Sequence, residues 1–190
     1  MESTGPQPPT LPPEGMTRRG FLGGLAALGA MALLPSQVLA ASRGERRLSF
    51  VHAHTGERLT TVYWGDGAYL APELSRVEAF LRDFRTGERH PIDPSLLDQL
   101  HAVAEATGAS APFHVISGFR SPRTNAALRA SGGGQARHSL HMVGQAIDVR
   151  LGDVRSRVLR DAALELALGG VGFYPGEDFV HLDTGRVRRW

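Results

Sequence analysis

The chain has 190 residues, no cysteine and a formal net charge of +2, and all 21 of its basic residues are arginines. That length allows one domain and a leader, and the missing cysteines exclude a disulfide framework, thiolate metal ligands and a lipoprotein attachment site. The pI of about 9.6 overstates the basicity, because arginine does not lose its proton in this range. The arginines are scattered, without the stripe and interleaved aromatics that bind nucleic acid, so that class is excluded.

Residues 1–16 are rich in proline and read as a disordered lead-in. Thr17-Arg18-Arg19-Gly20-Phe21-Leu22 then opens an apolar run that ends at Leu34, and Val38-Leu39-Ala40 supplies the small residues a signal peptidase reads. The run is shorter than the roughly 20 residues a spanning helix needs, and Pro35 breaks it. It resembles a twin-arginine export signal, with cleavage after Ala40. The expected organisation is therefore residues 1–40 as lead-in and signal peptide and residues 41–190 as one domain. That domain is expected in the periplasm, with no membrane anchor once the signal is removed.

Alternation over Leu48–His54 and Leu59–Trp64 around Thr55-Gly56-Glu57 predicts a β-hairpin. Leu74, Val77, Phe80, Leu81 and Phe84 follow at helical spacing. A second helix is announced by Asp93 as N-cap and Pro94 at its first position, with Leu96, Leu97, Leu100 and Val103 on one face and Gly108 at its end. Phe113–Ser117 reads as a strand leading into Gly118-Phe119-Arg120-Ser121-Pro122. A third helix over about Thr124–Ala130 stops at a glycine loop, Gly132-Gly133-Gly134.

Gln145–Arg150 reads as a strand, and Asp153 as the N-cap of an amphipathic helix with Val154, Val158, Leu159, Ala162 and Leu166 inward. Val171–Tyr174 and Phe179–Asp183 close the chain as a hairpin. Helices early and strands late predict an α+β fold, an antiparallel sheet with helices packed on one side.

The chemistry concentrates in Ser139-x-His141-x-x-Gly144-x-Ala146-x-Asp148 and in Asp178-x-x-His181. A hydrolytic zinc takes three protein ligands and keeps one position for water. His141, Asp148 and His181 fit that requirement, with one zinc per chain. Strand alternation puts Ala146 and Asp148 on one face and Ile147 and Val149 on the other. Phe179, His181 and Asp183 share a face in the same way, so Asp183 is placed to accept the other N–H of the His181 ring. Asp178 falls out of that alternation and requires a bend after Tyr174-Pro175-Gly176-Glu177.

Together these segments resemble the D-Ala-D-Ala metallopeptidases, the group that includes VanX-type dipeptidases and is related to lysostaphin and to the zinc fold of hedgehog proteins. His52-Ala-His54-Thr-Gly-Glu57 and the C-terminal segment resemble YcbK-like murein endopeptidases. The resemblance implies His141, Asp148 and His181 as zinc ligands and Asp178 as general base, with Glu177 as the rival acid. It implies that Arg120, in Ser-Gly-Phe-Arg-Ser, holds substrate and stabilises the transition state, and that Ser139 contacts substrate. The hairpin that carries His52 and His54 is read as a wall of the substrate groove, with a second metal site at this pair as the rival.

The roles of His138 and Asn125 stay open between substrate contact and structure. The implied activity is hydrolysis of peptidoglycan cross-links containing D-amino acids or diaminopimelate. A different class of protein on the same fold, a zinc-stabilised binding module without activity, is the rival reading, and the residues do not fix the oligomeric state.

Overall fold

The computed structural model describes residues 44–190; the lead-in, the export signal and the cleavage site after Ala40 lie outside them. The hairpin forms as β1 (Arg46–His52) and β2 (Arg58–Gly65), with the short β3 (Ala68–Tyr69) returning along β2. Leu48 and Phe50 in β1 and Leu59 and Tyr63 in β2 are buried while their neighbours are more open, the pattern of a sheet covered on one face.

Helix α1 (Ala71–Phe80) buries Val77 and Phe80. Helix α2 (Pro94–Thr107) is set by local chemistry at both ends: the Asp93 side chain accepts from Ser95 N, and Gly108 closes the last turn in a left-handed conformation. After β4 (Phe113–Ser117), helix α3 (Pro122–Ala130) starts from Ser121, whose hydroxyl accepts from Thr124 N. A 3-10 turn (Leu140–Val143) leads into β5 (Ala146–Leu151), followed by α4 (Ser156–Leu166). Strands β6 (Gly170–Tyr174), β7 (Phe179–Asp183) and β8 (Arg188–Arg189) complete the chain. No helix among the described residues is long and apolar enough to cross a membrane.

All eight strands join one sheet in the order β3-β2-β1-β4-β5-β7-β6-β8. The class is α+β as expected, but the sheet is mixed, since β1 pairs parallel with β4 and β6 parallel with β8. The first parallel pair follows from topology: α1 and α2 lie between the hairpin and β4, and such a crossover lets the chain re-enter the sheet in the same direction. Ile147, Val149, Val180 and Leu182 belong to one apolar core with Leu159 and Ala163 of α4. Strand alternation then turns Asp148, His181 and Asp183 to the opposite face.

Two details of α4 differ from the periodicity. The helix begins at Ser156, so Val154 lies before it, and Val158 faces solvent while Leu159 and Ala163 are buried. Asp153 does not cap it. Its carboxylate accepts from Ser110 N, Ser110 Oγ and Ala111 N, tying the start of α4 to the loop before β4.

Candidate metal centre

Cross-strand register builds the site. Asp148 in β5 is the direct partner of His181 in β7, and on its other side it faces Ser117 across an irregularity in β4. His141 arrives from the 3-10 turn, where Arg120 N donates to its carbonyl at 3.1 Å. Gly144 ends that turn at φ 68°, and any Cβ there would overlap the Pro91 carbonyl, so the residue at this point between His141 and Asp148 must be glycine. Gly118 is also required by close approach, since its Cβ would collide with the Leu81 backbone.

His141 Nε2 lies 3.2 Å from His181 Nδ1 and 3.2 Å from Asp148 Oδ1, and His181 Nδ1 lies 2.8 Å from the same oxygen. All three residues are buried. The opposite nitrogen of each ring fixes its tautomer. His141 Nδ1 faces the Gly118 carbonyl at 2.8 Å, and His181 Nε2 faces the Asp183 carboxylate at 3.0 Å. Both partners can only accept, so these nitrogens carry the protons. In the neutral rings two imidazole lone pairs and a carboxylate oxygen thus face one another, an arrangement that favours a cation among them.

The electrostatics agree. Burial pushes Asp148 up, but the His141 and His181 imidazoles outweigh it and hold the carboxyl well below the usual range. Burial pulls His181 down, and hydrogen bonds to Asp148 and Asp183 overcome it and raise its pKa. Where no metal ion is bound, a proton is the charge this triangle draws in, and metal ions compete with it. The donor set therefore fits a divalent metal of the zinc type, with Asp183 holding the back of the His181 ring as expected.

The three residues line an open cavity of about 600 Å³, together with Arg120, His138, Ser139 and the glycine loop. Arg120 is 7 % exposed; its Nη2 reaches Asp148 Oδ2 at 3.3 Å and Ser117 Oγ at 3.2 Å, while its Nε is buried without a partner among the described residues. Burial lowers its pKa and the Asp148 charge works against that, but a guanidinium stays charged throughout. Asn125 is buried and its Nδ2 donates to Ala136 O, which ties the glycine loop to α3.

Asp178 is not brought to the cavity. It sits in the turn before β7 at φ 53°, and its carboxylate accepts from Ser156 Oγ at the start of α4. Glu177, its neighbour, lines the cavity instead. The bend expected at Asp178 is present, and its carboxylate meets Ser156 rather than the lining of the cavity. His52 and His54 also lie elsewhere: His52 is buried against Phe80 and Phe84, and His54 stacks on Phe84 at 4.5 Å. They brace the hairpin and line no wall of this cavity.

Tyr174, Phe179, Arg188 and Trp190, to which the sequence reading gave no site role, form the remaining wall. Tyr174 stacks on Phe179 at 4.5 Å and accepts from Trp190 Nε1 at 2.9 Å. Phe179 could have been found, since it shares the His181 strand face. Arg188 and Trp190 enter only through the parallel pairing of β8 with β6, which leaves no local signal.

A mixed α+β sheet carrying a buried His-Asp-His group at the floor of an open cavity is the architecture of a metallopeptidase of the D-Ala-D-Ala type. The chain belongs to the family described as peptidoglycan L,D-endopeptidase MepK, whose sequence model matches residues 40–190. It is 40% identical over 171 residues to peptidoglycan L,D-endopeptidase MepK of Escherichia coli K12, covering 89% of this chain and 93% of that protein. It is 38% identical over 172 residues to the probable peptidoglycan L,D-endopeptidase MepK of Haemophilus influenzae, covering 89% and 91%. The chain is therefore a member of an enzyme family of peptidases.

Proposed function

We propose that this protein is a zinc-dependent peptidoglycan endopeptidase that cuts peptide cross-links containing D-amino acids or diaminopimelate. The observation that carries the reading is the convergence of His141 Nε2, His181 Nδ1 and Asp148 Oδ1, each ring held from behind by an acceptor on its other nitrogen, on a cavity large enough for a peptide. The names of its relatives support peptidoglycan as substrate and a bond between L and D centres. The leader supports export by the twin-arginine pathway and action in the periplasm.

His141, Asp148 and His181 hold the ion. When bound, zinc supplies Lewis acidity at a carbonyl oxygen and lets water lose a proton near neutral pH. Arg120 is desolvated at the cavity wall, where its guanidinium holds the substrate carbonyl and stabilises the negative charge that develops on it. Glu177, the acid on the wall besides Asp148, takes the proton of the attacking water and passes it to the leaving amine. Ser139 orients the peptide through its hydroxyl. The Tyr174, Phe179 and Trp190 rings exclude water from one side of the cleft.

An inactive binding module is not favoured. Structural zinc is normally closed by four protein ligands, whereas this group offers three and opens onto the cavity. The deciding experiment is release of soluble peptides from purified peptidoglycan by zinc-loaded protein beside a His141→Ala variant. Loss of release in the variant supports the reading, and equal release refutes it.

A further inference from the structure

Asp183 is fully buried and both of its oxygens are saturated. Oδ2 faces His181 Nε2 at 3.0 Å and accepts from Arg188 Nη2 at 2.7 Å. Oδ1 accepts from Arg188 Nη1 at 2.9 Å, from Gly185 N at 2.9 Å and from Gly170 N at 3.2 Å. The guanidinium grips the carboxylate with two parallel bonds, the strongest and most directional pairing available to it.

The backbone is cleared for this grip. Neither Gly170 nor Gly185 has a positive φ, so conformational freedom does not account for them. A Cβ on Gly170 would overlap Arg188 and both Asp183 oxygens, and one on Gly185 would press on Asp183 and Leu140. Arg188 is itself held in place: it is the register partner of Gly170 in the β6–β8 pair, and its guanidinium lies 4.8 Å from the Trp190 ring centroid.

We propose that Arg188 is a positioning residue for the metal centre, acting through Asp183 on His181. The inference rests on the metal reading above. Without Arg188, Asp183 keeps its two backbone donors only at Oδ1, which leaves Oδ2, the oxygen facing the imidazole, free to shift and let the ring swing. Clamped by Arg188, it fixes the His181 ring plane and keeps Nδ1 aimed at His141 Nε2 and Asp148 Oδ1. Arg188 also borders the cavity, so direct contact with substrate is the alternative, and the two roles separate in their effects.

The test is zinc affinity, measured by competition with a chromophoric chelator, for wild type, Arg188→Gln, Asp183→Asn and the double variant. Arg188→Gln is expected to weaken zinc binding about 10- to 100-fold, with KM at saturating zinc unchanged. In the Asp183→Asn background the same change is expected to add less than about 2-fold, because the route through Asp183 is already broken. Wild-type affinity in Arg188→Gln, additive losses in the double variant, or a raised KM with unchanged affinity would each overturn the proposal.

Thermal unfolding of the metal-free variants separates loss of fold from loss of positioning. Should Arg188→Gln not fold, Arg188→Lys carries the test. It keeps the charge without the two-pronged geometry, so an affinity between those of wild type and Asp183→Asn is expected, and wild-type affinity would refute the inference. Failure of the wild-type protein to bind zinc at all would sink the metal reading and this inference with it.

Discussion

His141 Nε2 and His181 Nδ1 face each other at 3.2 Å, and neither carries a proton in the tautomers their outer partners impose. Two lone pairs directed at one carboxylate oxygen repel unless a positive charge sits among them. The chain sets this up from strands and turns widely separated in sequence, and the sheet register does most of the assembly.

Glu177 and Asp178 are adjacent acids with different partners. Glu177→Gln is expected to lower kcat about 100-fold or more while leaving zinc content unchanged. Asp178→Asn is expected to leave kcat within about 3-fold of wild type and to lower thermal stability through Ser156. Steady-state kinetics on a defined cross-linked peptide reads both, and the reverse ranking would restore Asp178 as the base.

Arg120→Lys keeps the charge but loses the planar guanidinium whose Nη2 reaches both Ser117 and Asp148. A fall of about 10²- to 10³-fold in kcat is expected, with zinc stoichiometry preserved. Unchanged kcat would show that Arg120 braces Asp148 without stabilising the reacting carbonyl.

Asp83 anchors the segment that presents Arg120, accepting from Ser121 N and Arg85 N. Burial pushes its pKa up, but hydrogen bonds from Thr124 and Ser121 outweigh that and hold the folded value below the ordinary one. A folded pKa below the unfolded pKa means that ionised Asp83 favours the folded state. Its contribution is complete above the unfolded carboxylate pKa of about 3.9 and is lost as pH falls through the lower folded value. The stability gap between wild type and Asp83→Asn should therefore be widest near neutrality and shrink below that point. Denaturant melts across this range check it, and a constant gap would assign the loss to packing.

Gly144→Ala places a side chain at φ 68° against the Pro91 carbonyl. A destabilisation of about 1 kcal/mol or more is expected from the backbone strain alone, together with weaker zinc binding because the 3-10 turn carries His141. Calorimetry with and without zinc measures both, and an unchanged melting temperature would contradict the close approach.

What the sequence made legible was the chemistry that acts locally. Asp93, Pro94 and Gly108 announce α2 because caps are short-range; Asp148 and His181 stand out because alternation sets the face each takes in its strand, and His141 because of its spacing to Gly144, Ala146 and Asp148. Asp153 misled because its carboxylate is taken by Ser110, 43 positions away. Taking Val154 as part of α4 put Val158, four positions on, inward although it is exposed, whereas Leu159 and Leu166 of the same stripe do face the core. The turn at φ 53° decides that Asp178 meets Ser156, and β8 brings Arg188 and Trp190 to the cavity through pairing that no local pattern encodes.

Zinc titration of the metal-stripped protein by calorimetry, with elemental analysis of the loaded form, is the most direct measurement. About one tightly bound ion per chain is predicted for wild type, and at least about 100-fold weaker binding for Asp148→Asn. Wild-type affinity in Asp148→Asn, or no binding by the wild-type chain, would contradict the account.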